Sequence, residues 1–280
     1  IVPGHEIVGR IHAKADDCPS PLQVGTRVAA DQVLRCGVCP PCRAQRPQCE
    51  NMRIYGYGFG LDEAEGLWGG YGESMAIKAG THLAPLPDDV PAEELTLFEP
   101  LSSAINWLAS IGFAPGETIV IQGPGHMGLA LTALARLMGA GQTIVTGMSN
   151  DALRLETALE VGADVVIDVE RDSVEERVDS LTQGVGADVV VDMAPTTTAT
   201  IPLAIDIVRP GGRILVAGLK NQAEVKGFVS DQLILKDLTI RGGAGMTPAT
   251  HRRAADLLTQ KKLPTRALRG SVYSLDQLDE

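Results

Sequence analysis

Residues 119–141 read IVIQGPGHMGLALTALARLMGAG. Their first three residues are apolar without a break, as a strand buried on both faces requires. Gly123-x-Gly125-x-x-Gly128 follows at once, and an apolar, Ala/Leu-rich segment follows that. Glycines at this spacing, after a strand and opening a helix, suit a dinucleotide pyrophosphate. The first permits the tight turn, the second lets backbone approach the phosphates, and the third packs helix on strand. The helix start at His126 and Met127 adds backbone N–H groups and the positive end of a dipole.

Downstream of this stretch, strand-like and helix-like segments alternate. TIVTG (143–147), DVVIDV (164–169), DVVVDM (188–193) and RILVAGL (213–219) read as strands. NDALRLETALEVGA, SVEERVDSLTQ and TATIPLAIDIV read as the helices between them. The string GADVV occurs at 162–166 and again at 186–190, two helix-to-strand junctions of one sheet. Such alternation predicts a doubly wound parallel sheet covered by helices, an α/β fold. Upstream, residues 1–103 are turn-rich, with short β-type runs IVGRIHA, TRVAA and ESMAIKA and a Pro-rich connector, HLAPLPDDVPAEE. The boundaries are set at 1–103, 104–245 and 246–280, the last returning to the first domain.

An acidic residue that grips the ribose hydroxyls is expected about 20 residues beyond the third glycine. Gly147 stands there, 19 positions after Gly128. Without a carboxylate, nothing repels a 2′-phosphate, and Ser149 and Arg154 could receive one; Asp151 could oppose it. The reading is NAD or NADP, leaning to NADP.

The net charge of −11 argues against a nucleic-acid or anionic membrane partner. No apolar run reaches the 18 residues of a membrane span. Four of the five cysteines crowd into Cys36-x2-Cys39-x2-Cys42-x6-Cys49. Thiolates this close converge on one tetrahedral ion, and four of them leave no open position, so the site is structural zinc. Clustered thiolates also point to a reducing, cytoplasmic setting.

Together, PGHEIVGR, the four-cysteine lobe at 36–49, GGYGE, FEPLSSAINWL, GPGHMG and VRPGGRILVAGL resemble the zinc-dependent medium-chain alcohol/polyol dehydrogenases, in that family's order. The resemblance implies a GroES-like, β-rich catalytic domain joined to a Rossmann domain, with the active site in the cleft between them. It implies a second, catalytic zinc on His5 and Glu99, with Glu6 able to approach the metal. It assigns Ala217, Gly218 and Leu219 to the nicotinamide carboxamide. The lobe's last spacer is six residues where the family usually has seven. The implied activity is hydride transfer between an alcohol or polyol and NAD(P) by a homo-oligomer, a dimer or tetramer. Family members carry several dozen residues before GHE, including a Cys ligand and a Ser/Thr proton relay, and continue past the segment matching YSLDQLDE. The chain therefore reads as truncated at both ends, and residues 1–280 are expected to be inactive. Two other readings stay open: a zinc-independent, quinone-reductase-like member, and a non-enzymatic zinc module. Tyr55, Tyr57, Phe59 and Trp68 either line a pocket or pack under a loop.

Overall fold

The computed structural model describes residues 1–63 and 66–278. The chain divides into two compact units, residues 1–103 with 245–280, and residues 104–244.

The second unit is built on one sheet. Its strands are β6 (Thr118–Gln122), β7 (Gln142–Gly147), β8 (Val165–Asp168), β9 (Ala187–Asp192), β10 (Val208–Val216) and β11 (Thr239–Gly242), numbered after five strands in the first unit. All pairings are parallel, in the order β11-β10-β9-β6-β7-β8. The chain winds outward from β6 to β8, returns to lay β9 beside β6, and winds outward again. This is the doubly wound Rossmann order, with its reversal between β6 and β9. The linking helices are α4 (His126–Leu137), α5 (Ala152–Glu160), α6 (Val174–Leu181), α7 (Thr200–Ile207) and the short α8 (Asp231–Leu235). α4 packs beside α5 and α6 beside α7, as right-handed crossovers running in opposite directions require. Buried aliphatics such as Val120, Ile144, Ile167, Val190 and Ile214 fill the core. An aliphatic core explains how so few aromatics suffice.

The first unit is β-rich. A three-stranded antiparallel sheet runs β1 (Ile7–Arg10), β2 (Arg27–Ala30), β5 (Leu83–Pro85). A two-residue pair joins β3 (Val33–Leu34) to β4 (Arg53–Ile54). Short helices α1 (Pro40–Arg43) and α2 (Ala92–Leu95) precede α3 (Phe98–Ile111), and α9 (Pro248–Thr259) and α10 (Thr265–Leu268) come from the C-terminal stretch. Two expectations need correction. ESMAIKA makes no strand: Ala76 N–H bonds the carbonyl of Leu67, but no ladder continues. The Pro-rich connector holds β5 and α2, because Leu83–Pro85 finds an edge along β2.

α9 places His251 in the interior, fully buried, with its ring edge-to-face on Phe98. His251 Nδ1 lies 2.8 Å from His82 Nδ1, and Arg252 Nη1 lies 3.2 Å from His82 Nε2. A guanidinium only donates, so His82 Nε2 is an acceptor. His82 therefore carries its proton on Nδ1 and donates to His251. Burial, then the charges of His82, Arg35 and Arg252, push the His251 imidazole down to about 3.

Candidate active site

The cysteine lobe closes on itself. Sγ atoms of Cys36, Cys39, Cys42 and Cys49 all lie within 4.8 Å of one another. Cys39 and Cys49 are 4.0 Å apart at sulfur. A tetrahedron with Zn–S bonds of about 2.3 Å has edges of about 3.8 Å, so the donor set fits zinc. Backbone N–H groups of Val38 and Cys39 pull the Cys36 thiol down to about 6. Burial and the adjacent Cys39 sulfur push Cys42 up to about 12. Four thiols this crowded cannot all ionise without a cation among them. α1 supplies Cys42, with Pro40 and Pro41 opening the helix. Cys18 is exposed and apart from the lobe.

PGHE is pinned by GGYGE. Gly70 N–H donates to the Gly4 carbonyl at 2.9 Å, and Tyr71 N–H to the Pro3 carbonyl at 2.9 Å. This sets His5 beside Tyr57, whose ring meets it edge-on with centroids 5.3 Å apart. Burial lowers the His5 pKa, which favours the neutral imidazole that a metal requires. Glu99 sits in the first turn of α3, 5% exposed. Gln32 Nε2 donates to its Oε1 at 2.8 Å, and Ser103 Oγ to the same oxygen at 3.2 Å. Burial, then the charge of Glu6, push the Glu99 carboxyl up to about 7. Burial likewise raises Glu6. Burial, then the charge of Glu99, raises the Tyr57 phenol. Two desolvated carboxylates that repel each other, with a neutral imidazole nearby, are a donor set that a divalent cation would relieve. Among the described residues the four cysteines are the one group of three or more donors drawn to metal-binding spacing; His5, Glu6 and Glu99 form no such cluster. Tyr55, Phe59 and Trp68 are stacked and buried, a core and not a pocket wall.

In the second unit, the glycine loop ends β6. Gly123 has φ +109°, and a side chain there would press on the backbone of residues 193–194. A Cβ on Gly128 would lie 2.1 Å from the Gly123 carbonyl oxygen, whereas one on Gly125 would meet nothing within 4 Å. Gly125 begins α4 with no side-chain cap over the turn of His126 and Met127. The loop thus presents an uncovered helix start at the reversal of the sheet, where open α/β sheets bind ligands.

Gly147 ends β7 opposite Asp168 of β8. A Cβ there would lie 2.9 Å from Pro124 Cγ and 3.1 Å from Leu155 Cδ2. Proline in the glycine loop therefore accounts for the glycine where an acid was expected. Ser149 Oγ donates to Asp168 at 2.7 Å and Ser149 N–H to Glu170 at 2.8 Å. Arg154 pairs with Asp151 at 2.7 Å, with 62% of its side chain exposed. Gly218 N–H bonds the Asp192 carbonyl at 3.0 Å, and Leu219 is 82% exposed.

Sequence reading missed Gln32 and Ser103 around Glu99, and the ion pair of Asp192 with Lys220. An acid ending the buried run DVVVD was the one available signal, since such a charge must find a partner.

The family description "Alcohol dehydrogenase GroES-like domain" matches residues 1–88, and "Zinc-binding dehydrogenase" matches residues 127–260. A Mycobacterium tuberculosis protein named "Probable alcohol dehydrogenase adh" is 35% identical, the match covering 95% of this chain and 75% of that protein. The chain belongs to the zinc-dependent medium-chain alcohol/polyol dehydrogenases. A sorbitol dehydrogenase of Halalkalibacterium halodurans is 31% identical, over 99% of this chain and 78% of its own length. The solved structure of the alcohol dehydrogenase TADH from Thermus sp. ATN1 superposes with a TM-score of 0.83 at 30% identity, over 95% of this chain and 75% of that one. The expected inactivity of residues 1–280 is not borne out by these relatives, which are named as dehydrogenases. No helix among the described residues is long and apolar enough to cross a membrane.

Proposed function

We propose that this dehydrogenase oxidises a secondary alcohol or polyol at a zinc held by His5 and Glu99, with Glu6 beside it. The buried Glu99, with the half-buried Glu6 acting on it and the family's GHE and FEP segments around them, carries the reading, because a cation would offset the repulsion between the two carboxylates. Bound zinc would supply Lewis acidity that favours the alkoxide form of the alcohol, and bound NAD(P) the hydride acceptor. The chain's own part is orientation. Gln32 and Ser103 fix Glu99 Oε1, so a cation would be met by the other oxygen. Gly123, Gly125 and Gly128, with His126 and Met127, cradle the pyrophosphate, and the backbone of Ala217, Gly218 and Leu219 meets the carboxamide. Cys36, Cys39, Cys42 and Cys49 hold a structural zinc.

NADP is the favoured form in this reading. No carboxylate stands at Gly147 itself; Asp168 and Glu170 hold Ser149 and would oppose a 2′-phosphate, but the exposed Arg154 and Arg171 can turn from Asp151 and Asp168 toward one. Homo-oligomerisation is supported by the outer edge of β11 and by the exposed Ile234 and Leu235 of α8. A reducing, cytoplasmic compartment follows from the reduced thiolates the lobe requires. The test is turnover of the zinc-loaded chain on a panel of secondary alcohols and polyols with each cofactor. Failure to form reduced cofactor with any of them would refute the reading.

A further inference from the structure

The reversal of the sheet brings the ends of β6 and β9 together, with Gln122 in register with Asp192. Asp192 is fully buried there, beneath the glycine loop. Its partner is Lys220, 10% exposed, with Nζ 2.7 Å from Asp192 Oδ2. The same ammonium donates to the Ala194 carbonyl, and to Thr200 Oγ1 at 3.2 Å. Asp192 Oδ1 in turn accepts the Ala194 N–H at 3.1 Å. Thr196 N–H reaches back to the Leu219 carbonyl at 2.8 Å.

Residues 193–194 form the surface on which the glycine loop rests. A Cβ at Gly123 would come within 3.2 Å of Ala194 N, and one at Gly218 within 2.4 Å of Ala194 O. Ala194 is thus held between the first glycine of the loop and the segment 217–219. Its carbonyl is anchored by a lysine that follows that segment directly. Lys220 also cancels a carboxylate lying at the strand ends where the negative pyrophosphate would come. Burial alone raises Asp192, and Lys220 opposes that shift.

We propose that Lys220 is a positioning residue for the dinucleotide. It locks Ala194 against Gly123 and Gly218, a hold secured from below by its ion pair with Asp192. This rests on the reading of residues 123–128 as the dinucleotide cradle. The experiment is titration of the full chain with NADP and with NAD by calorimetry, alongside Tm. K220M should weaken dinucleotide binding about tenfold or more, because the Ala194 carbonyl beside the glycine loop is released, and lower Tm because Asp192 is left buried without its partner. K220R should recover most of the affinity. The neutral pair D192N/K220M is decisive. It leaves no unpaired buried charge, so Tm should recover while the dinucleotide Kd stays raised, because nothing holds the Ala194 carbonyl. A Kd that returns to the wild-type value together with Tm would reduce Lys220 to a stabilising residue and overturn the proposal. So would wild-type affinity in K220M. A wild-type chain that binds neither dinucleotide overturns the cradle reading itself, and the proposal with it.

Discussion

One buried histidine should make the unit formed by residues 1–103 and 245–280 less stable in acid than the same unit without it. His251 is fully buried, receives its hydrogen bond from His82, and is held down to about 3, whereas an unfolded histidine titrates near 6.5. Its folded pKa is depressed, so its penalty is absent above 6.5 and grows as pH falls toward 3. In that window the unfolded chain binds one more proton than the folded one, and stability falls by about 1.4 kcal/mol per pH unit. Between pH 7.5 and 5.5 only the last unit counts, so His251 itself costs about 1.4 kcal/mol, or roughly 5 °C in Tm for a unit of this size, while protonation of Glu99, raised to about 7, works in the stabilising direction. Burial lowers His82 as well, which adds in the same direction. The control is H251L. It removes the titrating ring and strands the His82 N–H, so it costs stability at pH 7.5, but from pH 7.5 to 5.5 it should lose about 1.4 kcal/mol less than wild type does. Calorimetric scans of both proteins at pH 7.5, 6.5 and 5.5 read the difference. Parallel curves for wild type and H251L would show that His251 does not carry the acid sensitivity.

Other expectations follow from the same contacts. C49S should cost one equivalent of zinc by metal analysis and open the 36–49 loop to proteolysis; unchanged zinc content would remove Cys49 from the site. G128A should lose about 1–3 kcal/mol of stability and its dinucleotide affinity, because the added methyl meets the Gly123 carbonyl at 2.1 Å; normal binding would contradict the loop geometry. E99Q should lower turnover on the order of 100-fold or more while dinucleotide Kd stays put, and near-normal turnover would take Glu99 out of the metal site. R154A should lower kcat/KM for NADP about tenfold more than for NAD, and an equal loss with both would deny Arg154 a role at the 2′-phosphate.

The parallel sheet was legible because its signals are local. Apolar runs such as those in β6 and β9, broken by glycine turns and amphipathic helices, allow few other arrangements. The cysteine lobe was legible for the same reason, with every ligand inside 14 residues. What escaped depends on distance along the chain. His82 and His251 are 169 positions apart, and Gln32 and Glu99 are 67 apart. No pattern in the sequence pairs them. ESMAIKA misled because period-two alternation describes a strand's faces and says nothing of a partner edge. Glu99 could be linked to His5 only through the family likeness, since a glutamate at a helix start is otherwise an ordinary dipole partner.

The contact between Pro124 and Gly147 constrains the order in which this binding loop could change its cofactor. An aspartate at position 147 that arrives first meets a tight contact: its Cβ would lie 2.9 Å from Pro124 Cγ, so the proline ring or the strand end has to shift. Replacing Pro124 first removes the tighter contact and leaves only Leu155 Cδ2 at 3.1 Å to give way before the acid follows. The two positions are 23 residues apart, yet they are coupled, so that the order of replacement sets how much strain the intermediate carries. A laboratory effort to exchange cofactors that scans single substitutions would discard aspartate at 147 as unfavourable and miss it as the second step.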